Sequence, residues 1–322
     1  MKSWFVLARG AATGLELREA PDPEPGAGQV LVRMRAAGLN RGEFIAAHGL
    51  TQPGAAKPAG MEGAGEIARL GSGVTGFRLG ERVMGRCPGA FAEYALMDAR
   101  EAVAVPHAVS WEEAGAIPLA FMVVHDMLIE QGRLKNGEWL LVTGISSGVG
   151  VAALQAGKAL GARVIGTSRS KEKLAKLESL GLDLGLCQVD FADAVLQATG
   201  GRGADLVVNT VGGSVFAECV RALGFEGRLA TVGYLDGVLK AQIDLEALHA
   251  RRLKLFGVSN KLRSAEQRAA TVRGFVADLL PMIADGRIRP FVDRVFPFDQ
   301  LPQAKAYMEA NAHIGKIILS SP

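Results

Sequence analysis

The sequence predicts an α/β protein with two domains, one a compact β domain and the other built on a parallel sheet. The chain has 322 residues, and two domains are expected at about 100–200 residues per domain. Residues 1–115 contain short β runs between Gly- and Pro-rich turns, which is typical of a β domain. Residues 116–265 alternate strand and helix patterns, which is typical of a parallel sheet covered by helices on both faces.

The composition excludes several classes of protein. Apolar residues make up 49% of the chain and the formal net charge is +3, which indicates a folded protein without a nucleic-acid-binding surface. The longest nearly apolar run, residues 114–124, is shorter than the roughly 20 residues of a membrane-spanning helix. The N-terminus lacks a secretory pattern, and Cys87, Cys187 and Cys219 suggest neither a disulfide framework nor a CxxC pair. We therefore expect a soluble, cytoplasmic protein that binds neither nucleic acid nor membrane.

Each part of the chain shows its own pattern of strands and helices. In the β domain, strands are predicted at residues 30–34, 65–68 and 81–84. In the α/β region, strands are predicted at 139–142, 162–167, 206–208 and 228–232, with helices at 149–160 and 171–180. These strands are apolar throughout rather than alternating, which indicates a sheet buried on both faces. After residue 265, helices are predicted at 269–284 and 301–309, and extended segments at 291–296 and 316–319.

A glycine-rich turn follows the first strand of the α/β region and opens a helix. The segment from Leu140 to Gly150 reads LLVTGISSGVG, and this strand–turn–helix context is typical of a dinucleotide-binding site. Gly148 would let the backbone approach a pyrophosphate, Gly150 would let the helix pack closely on the sheet, and the helix N-terminus would bind the phosphates. Because the spacing is not GxGxxG, a turn without a ligand is the alternative. The candidate contacts are Ser146, Ser147, Gly148, Val149 and Gly150.

The end of the second strand favours NADP over NAD. NAD sites place a carboxylate about 20 residues after the glycine turn, whereas a 2′-phosphate requires a cation and no carboxylate. Ser168 stands at this place, followed by Arg169, and Lys173 lies one turn into the next helix. Ser168 could donate to a phosphate oxygen, and Arg169 could form a charge-assisted pair with it. The alternative is an exposed basic start of a helix.

Two further glycine turns follow apolar strands and contain Gly212 and Gly233. Ligands of open parallel sheets lie at the carboxyl ends of the strands. Both glycines are therefore candidate contacts of the same nucleotide.

Short segments along the chain form a recognisable series. They are AGLN (37–40), PAGMEGAG (58–65), GERV (80–83), GAFAEY (89–94), AIP (116–118), GVG (148–150) and GKIIL (315–319). Taken in order, these segments resemble the medium-chain dehydrogenase/reductase superfamily over essentially the whole chain. The resemblance is closest to its zinc-free branch, the NADPH:quinone oxidoreductases and related enone reductases. It implies a GroES-like catalytic domain, residues 1–115 and 266–322, interrupted by a Rossmann NADP-binding domain, residues 116–265. It also implies a homodimer joined through strand edges near residues 229–243.

The resemblance also bears on metal content. Zinc-dependent relatives carry Cys after the Ala-x-Gly-x segment and His before the Glu of the Gly-x-Glu segment. This sequence has Asn40 and Met61 at those places, and an amide and a thioether are poor zinc ligands. Of the cysteines, only Cys87 lies near the region of the relatives' structural zinc. We therefore expect no zinc, which argues against alcohol oxidation.

The resemblance implies hydride transfer from NADPH to a small electrophilic acceptor, such as a quinone, an α,β-unsaturated carbonyl compound or an acrylyl-type thioester. Asn40 is the candidate for orienting cofactor or substrate, and a turn or helix cap is the alternative for it. His48 could donate a proton, although a lone loop histidine is more often a bystander. Lys316 in the terminal motif is a further candidate cofactor contact, and Glu62 is expected to form a structural hydrogen bond or salt bridge.

Several positions depart from the quinone-reductase pattern. The places of two pocket tyrosines hold Ile45 and Thr51, and the place of a threonine near the nicotinamide holds Val123. The first glycine of the usual AGGVG turn is Ser147. These departures weaken a quinone-specific assignment. They leave open a second hypothesis, a non-catalytic NADPH-binding module that senses redox state or binds a partner.

Overall fold

The computed structural model describes residues 1–9, 12–45 and 56–321. The chain divides into two compact units. We call Met1–Leu119 together with Arg289–Pro322 the outer unit, and Ala120–Ile288 the inserted unit. The outer unit is thus built from both ends of the sequence.

The first segment of the outer unit consists of short strands followed by a helix. A 3-10 helix, Arg41–Phe44, follows the third strand. The strands predicted at 30–34, 65–68 and 81–84 fall within or overlap the third, fifth and sixth strands of the unit. The elements are β1 (Lys2–Arg9), β2 (Ala12–Glu19), β3 (Gln29–Gly38), β4 (Lys57–Pro58), β5 (Glu62–Leu70), β6 (Arg82–Arg86), β7 (Tyr94–Asp98), β8 (Ala102–Ala104) and α1 (Trp111–Ala116).

The inserted unit alternates strands and helices. A helix at the junction of the units, α2 (Pro118–Val124), continues into a π-helical segment, His125–Glu130. The elements that follow are β9 (Trp139–Thr143), α3 (Gly148–Ala159), β10 (Arg163–Thr167), α4 (Lys171–Glu178), β11 (Leu184–Leu186), α5 (Ala192–Ala198), β12 (Ala204–Asn209), α6 (Phe216–Ala222), β13 (Leu223–Thr231), α7 (Leu245–Ala250), β14 (Lys254–Gly257), α8 (Ala265–Asp278) and α9 (Leu280–Ala284).

The six strands of the inserted unit form one parallel sheet in the order β11-β10-β9-β12-β13-β14. All five side chains of β9 are buried, as the apolar pattern predicts. The chain runs outward from β9 through β10 and β11 and then returns to β12 on the other side. In such sheets the carboxyl ends of the two strands beside this reversal flank a crevice that binds ligands.

The chain returns to the outer unit through β15 (Val292–Phe296), α10 (Leu301–Glu309) and β16 (Lys316–Ser320). These strands join a seven-stranded sheet in the order β15-β16-β3-β5-β6-β8, with β7 also paired to β3, while β2, β1 and β4 form a second sheet. The core lies around β3, where Val30, Val32 and Met34 are buried. Trp4 on β1 joins this core, and its Nε1 donates to the Phe298 carbonyl over 2.8 Å.

The unit boundaries differ from the predicted ones at both junctions, and most at the second. We predicted that the second domain ends at residue 265, but α8 and α9 belong to the inserted unit. The reason lies at Gly274 of α8, which packs directly against the buried His125 ring of the π-helical segment. The Nε2 atom of His125 also lies 2.8 Å from Asp278 Oδ2. The single predicted helix at 269–284 is two helices, because Pro281 cannot continue α8.

A buried ion pair ties the C-terminal strand to the first segment of the outer unit. The Lys316 Nζ atom on β16 lies 2.6 Å from Glu62 Oε1 on β5. The Lys316 side chain is 7% exposed and the Glu62 side chain is fully buried. Gly38 makes room for the pair, because a Cβ there would lie 2.9 Å from Glu62 Oε1 and 2.5 Å from the Gly115 carbonyl oxygen. The predicted salt-bridge role of Glu62 is confirmed.

We expect Lys316→Met to lower the free energy of unfolding by about 3–5 kcal/mol, because it leaves the Glu62 carboxylate buried without its counter-charge. Urea denaturation measures this change. The matched control is Arg100→Met, which removes an ion pair with Asp98 in which the arginine is 55% exposed; its cost should stay below about 1 kcal/mol. Equal losses in the two variants would contradict the structural role of the buried pair.

Candidate functional site

The glycine turn of the inserted unit lies at the carboxyl end of β9 and leads directly into α3. Ser147 is the N-cap of this twelve-residue helix, and its hydroxyl accepts from the Gly150 N–H over 3.1 Å. Gly150 is buried, and a Cβ there would lie 2.6 Å from the Ile145 carbonyl oxygen, so only glycine allows this close packing. Residues 146–149 are half-buried. The first N–H groups of a helix lack acceptors within it, so this end of α3 can bind an anion.

The predicted 2′-phosphate residues lie beside this turn. The end of β10 is bonded to the turn, because the Ile145 N–H donates to the Thr167 carbonyl over 3.0 Å and the Gly144 N–H to Thr167 Oγ1 over 3.3 Å. Ser168 and Arg169 follow Thr167 directly, and Arg169 is exposed. Lys173 lies half-buried in the first turn of α4. The structure therefore brings the two sequence motifs together at one edge of the sheet.

A buried polar network joins the ends of β9 and β12. The Thr210 hydroxyl donates to the Thr143 carbonyl over 2.7 Å, and the Thr210 N–H donates to Thr143 Oγ1 over 3.1 Å. Asn209 is fully buried, and its Oδ1 accepts from the N–H groups of Val211 and Gly212, each over 3.0 Å. These bonds tie the two strand ends to each other and to the turn that follows β12. Thr143, Asn209 and Thr210 are not among the site residues predicted from the sequence. Their position could have indicated them, because each is a polar residue at the end of an otherwise apolar strand.

Gly212 and Gly233 lie near this network. Gly212 has φ of 131°, and a Cβ there would lie 2.1 Å from Asp236 Oδ1. A Cβ at Gly233 would lie 3.2 Å from the Thr210 carbonyl oxygen. Gly212 therefore needs to be glycine whether or not a nucleotide binds there, whereas a side chain at Gly233 would only make a tight contact. Their contact with a cofactor stays a prediction.

The outer unit holds a second cluster, centred on Asn40. The Asn40 amide nitrogen donates to Glu43 Oε1 and to Glu62 Oε1, each over 2.8 Å. Its Oδ1 accepts from Lys316 Nζ over 2.9 Å. The other Glu62 oxygen accepts from the Leu119 N–H over 2.7 Å. Asn40 is therefore the hub of a polar network and makes no side-chain cap bond to the following 3-10 helix, so the capping alternative is not what the structure shows.

Lys316 has three acceptors around its ammonium group. They are Glu62 Oε1 at 2.6 Å, Asn40 Oδ1 at 2.9 Å and the Leu39 carbonyl oxygen at 3.0 Å. A lysine ammonium carries three protons, so this arrangement uses all of them within the protein. The geometry therefore supports a structural role, and a contact between Lys316 and a cofactor stays a prediction.

Glu43 is a buried carboxyl residue of this cluster that the sequence analysis does not consider as a site residue. It lies one turn after Asn40 in the 3-10 helix and is 7% exposed. Burial raises the pKa of Glu43 to about 8, with a further raise from Glu62, against the lowering by the Asn40 hydrogen bond and by Lys316. Its Oε2 is buried and has no hydrogen-bond partner among the described residues. The sequence does contain a signal for Glu43, because this carboxyl residue stands three positions after Asn40, a predicted site residue.

Four further residues named in the sequence analysis are His48, Thr51, Ile45 and Val123. His48 and Thr51 lie outside the described residues. Ile45 and Val123 are half-buried, in the outer and the inserted unit respectively. Among the described residues no group of three or more His, Cys, Asp or Glu side chains is placed to hold a metal ion. In the same part of the chain, none of the helices has the length and apolarity that crossing a membrane requires.

Two family models match the chain, one in each unit's region. The model described as alcohol dehydrogenase GroES-like domain matches residues 26–107. The model described as zinc-binding dehydrogenase matches residues 148–272.

Three curated proteins illustrate the range of similar chains. A phenolphthiocerol/phthiocerol polyketide synthase of Mycobacterium tuberculosis is 31% identical over 97% of this chain; the chain spans only 14% of its length. The acryloyl-coenzyme A reductase of Metallosphaera sedula is 29% identical and is matched over 98% of this chain and 99% of its own length. The human synaptic vesicle membrane protein VAT-1 homolog is 30% identical over 95% of this chain and 82% of its own length.

Solved structures share the whole architecture. The Escherichia coli quinone oxidoreductase complexed with NADPH matches with a TM-score of 0.88 and 25% identity, over 99% of this chain and 100% of that one. The predicted fold class, a GroES-like β domain interrupted by a Rossmann parallel-sheet domain, is thereby confirmed. The chain belongs to the medium-chain dehydrogenase/reductase superfamily, in its quinone oxidoreductase-like branch.

Proposed function

We propose that this protein is a zinc-independent oxidoreductase that transfers a hydride from NADPH to a quinone or to an alkene activated by a carbonyl group. The observation that carries the proposal is the bonded pair of turns in the inserted unit, where the N-terminus of α3 and the Ser168–Arg169 segment lie at neighbouring strand ends. The names of an NADPH-bound quinone oxidoreductase and an acryloyl-coenzyme A reductase among similar proteins support it.

The described residues fit the two charged parts of NADPH. The half-buried N-terminus of α3, residues 146–149, suits the pyrophosphate because it offers N–H groups and partial positive charge. Ser168 and the exposed guanidinium of Arg169 suit the 2′-phosphate, with Lys173 close by in the sequence. The order of the strands brings these groups to one edge. When bound, NADPH would supply the hydride.

The Asn40 cluster supports chemistry without zinc. Asn40 stands where zinc-dependent relatives have a cysteine, and both ends of its amide are bonded to Lys316, Glu43 and Glu62. We therefore propose that Asn40 acts as a positioning residue through these neighbours. An acceptor with a conjugated carbonyl spreads the developing negative charge onto its oxygen, so that hydrogen-bond donors can stabilise it in place of a metal.

Two further proposals concern the state of the protein in the cell. Exposed apolar side chains follow β13, among them Tyr234, Leu235 and Leu239, which is 73% exposed. Since β14 is the last strand in the described sheet order, we propose that a homodimer forms through this region. Leu229, at the start of the predicted interface segment, is buried inside its own unit.

All three cysteines are free thiols, and we propose the reducing cytoplasm as the location.

The experiment that tests the proposed function follows the oxidation of NADPH against a panel of quinones, short enones and acrylyl thioesters. We expect turnover with at least one class, unchanged by a metal chelator, and slower turnover with NADH. Tight NADPH binding without turnover of any acceptor would contradict the enzyme and favour the second hypothesis, a non-catalytic NADPH-binding module. The observation that favours this non-catalytic module is Ile45, which stands where the quinone-reductase pattern has a pocket tyrosine. Loss of activity with the chelator would contradict a zinc-independent reaction.

We expect Arg169→Ala to raise the KM for NADPH by about tenfold or more, because a hydrogen bond to a charged group contributes about 1.5–3 kcal/mol. The KM for NADH should change little, since NADH has no 2′-phosphate. Initial-rate kinetics with both cofactors measure the difference. The control is Lys176→Ala, an exposed position in the last turn of α4. Equal effects on the two cofactors, or none, would contradict the assignment of the 2′-phosphate to Arg169.

A further inference from the structure

Two loops of the inserted unit begin at neighbouring strand ends. β12 and β13 run side by side in parallel, so the chain leaves both strands at the same edge of the sheet. We call residues 210–214 the β12 turn and residues 232–239 the β13 loop. The large apolar side chains of Leu235 and Leu239 in the β13 loop are 51% and 73% exposed. Within one chain, burial of these side chains therefore does not hold the loop in place.

Backbone hydrogen bonds join the β13 loop to the β12 turn. The Asp236 N–H donates to the Val211 carbonyl over 3.0 Å. The Gly213 N–H donates to the Val238 carbonyl, also over 3.0 Å. Because these bonds run in both directions between the two segments, the β12 turn and the β13 loop form one connected structure at the edge of the sheet.

The carboxylate of Asp236 adds two further bonds to this structure. Its Oδ2 accepts from the Ser214 N–H over 2.8 Å, and its Oδ1 accepts from the Val238 N–H over 2.9 Å. Desolvation acts to raise the pKa of Asp236, but the hydrogen bonds from Ser214 and Val238 outweigh it and hold the pKa below its usual value. Hydrogen bonds to a charged group are stronger than those between neutral groups. A single carboxylate thus holds both the β12 turn and the β13 loop.

Gly212 lies between Asp236 and the buried side chain of Asn209. The Asn209 Nδ2 atom donates to the Gly212 carbonyl over 2.9 Å, and Asn209 Oδ1 accepts from the Gly212 N–H over 3.0 Å. On the other side, a Cβ at Gly212 would collide with Asp236 Oδ1. The backbone of the β12 turn is therefore fixed from inside the unit by Asn209 and from the β13 loop by Asp236.

The strand order relates the β12 turn to one half of the cofactor. Under the proposed function, the 2′-phosphate lies at the end of β10 and the pyrophosphate at the N-terminus of α3, which follows β9. β12 is the neighbour of β9 on the side away from β10, and β13 comes next. Adjacent strands lie about 4.7–4.9 Å apart, so the nicotinamide half of NADPH extends over the ends of β12 and β13. This step rests on the proposed function, whereas the bonds of Asp236 do not.

We propose that Asp236 is a positioning residue for the nicotinamide half of NADPH. It acts through the β12 turn, because its carboxylate holds the backbone of Ser214 and lies against Gly212. Without this carboxylate, the N–H groups of Ser214 and Val238 lose their acceptor, and the β12 turn gains freedom where the nicotinamide half lies. The adenosine half, at the end of β10, is held by other groups and is not affected.

The test measures two Kd values for the full chain by isothermal titration calorimetry. NADPH carries both halves of the cofactor, whereas adenosine 2′,5′-bisphosphate carries only the adenosine half. We expect Asp236→Ala to raise the Kd of NADPH about tenfold, within the usual range of coupling between separate groups, and to change the Kd of the bisphosphate by less than about twofold. Asp236→Asn keeps one accepting oxygen, so its Kd for NADPH should lie between those of the wild type and Asp236→Ala.

The fluorescence of the reduced nicotinamide ring gives a second readout, which a merely structural role of Asp236 would not change. The measurement uses saturating NADPH, so that every protein molecule carries the cofactor. We expect the emission anisotropy to fall in Asp236→Ala towards that of free NADPH, because a ring that is less firmly positioned rotates more freely.

Asp244→Ala is the matched control. Asp244 is the N-cap of α7, and its Oδ1 accepts from the Ala247 N–H over 2.9 Å, the same distance as the bond from Val238 to Asp236. This variant should bind both ligands as the wild type does. Thermal unfolding and size-exclusion chromatography check that all variants keep the fold and the oligomeric state of the wild type.

An unchanged Kd of NADPH in Asp236→Ala, or equal losses of affinity for NADPH and the bisphosphate, would overturn the proposal. An equal effect of Asp244→Ala would also overturn it. A selective loss for NADPH in a protein that reduces no acceptor would support this role of Asp236 and contradict only the proposed reductase activity. Turnover of an acceptor together with an unchanged Kd in the variant would overturn the inference alone.

Discussion

The buried ammonium of Lys316 is the interaction on which the outer unit depends. It brings together the C-terminal strand, the end of β3 and Glu62 on β5, and it fixes the orientation of the Asn40 amide. That amide in turn holds one oxygen of Glu43, while the other oxygen is buried without a hydrogen-bond partner among the described residues. The positive charge of Lys316 thus determines which atoms of the network donate hydrogen bonds and which accept them. Its ammonium group contacts both Asn40 and Glu62, so we regard it as the fixed cation of this cluster.

In the inserted unit, neutral groups form the corresponding polar network. Hydroxyl and amide side chains of Thr143, Thr167, Asn209 and Thr210 bond the strand ends to the turns that follow them. These bonds tie the turn before α3 to the end of the neighbouring strand β10. In both units, polar side chains at the ends of apolar strands position the groups to which we assign chemistry.

The sequence predicted the parallel sheet, the glycine turn and the order of the two domains, because apolar strands and Gly-rich turns are local signals. It also singled out Asn40 and Glu62, which the structure joins by a hydrogen bond, while the predicted role of Asn40 stays a prediction. It did not predict the place of α8, since packing of Gly274 on His125 joins residues far apart in the chain. Nor did it predict the raised pKa of Glu43, because that pKa depends on burial and on three neighbours from different segments. Properties that arise from tertiary contacts were the ones that could not be predicted.

The central claim is direct hydride transfer to a carbon atom of a carbonyl-activated acceptor, and isotope transfer tests it most directly. NADPH deuterated at the transferable position is incubated with the protein and 2-cyclohexen-1-one in ordinary water, and the product is examined by mass spectrometry and NMR. The account predicts cyclohexanone with one deuterium at the carbon β to the carbonyl, and a solvent hydrogen at the α carbon. Cyclohexanone formed without deuterium at the β carbon would contradict it.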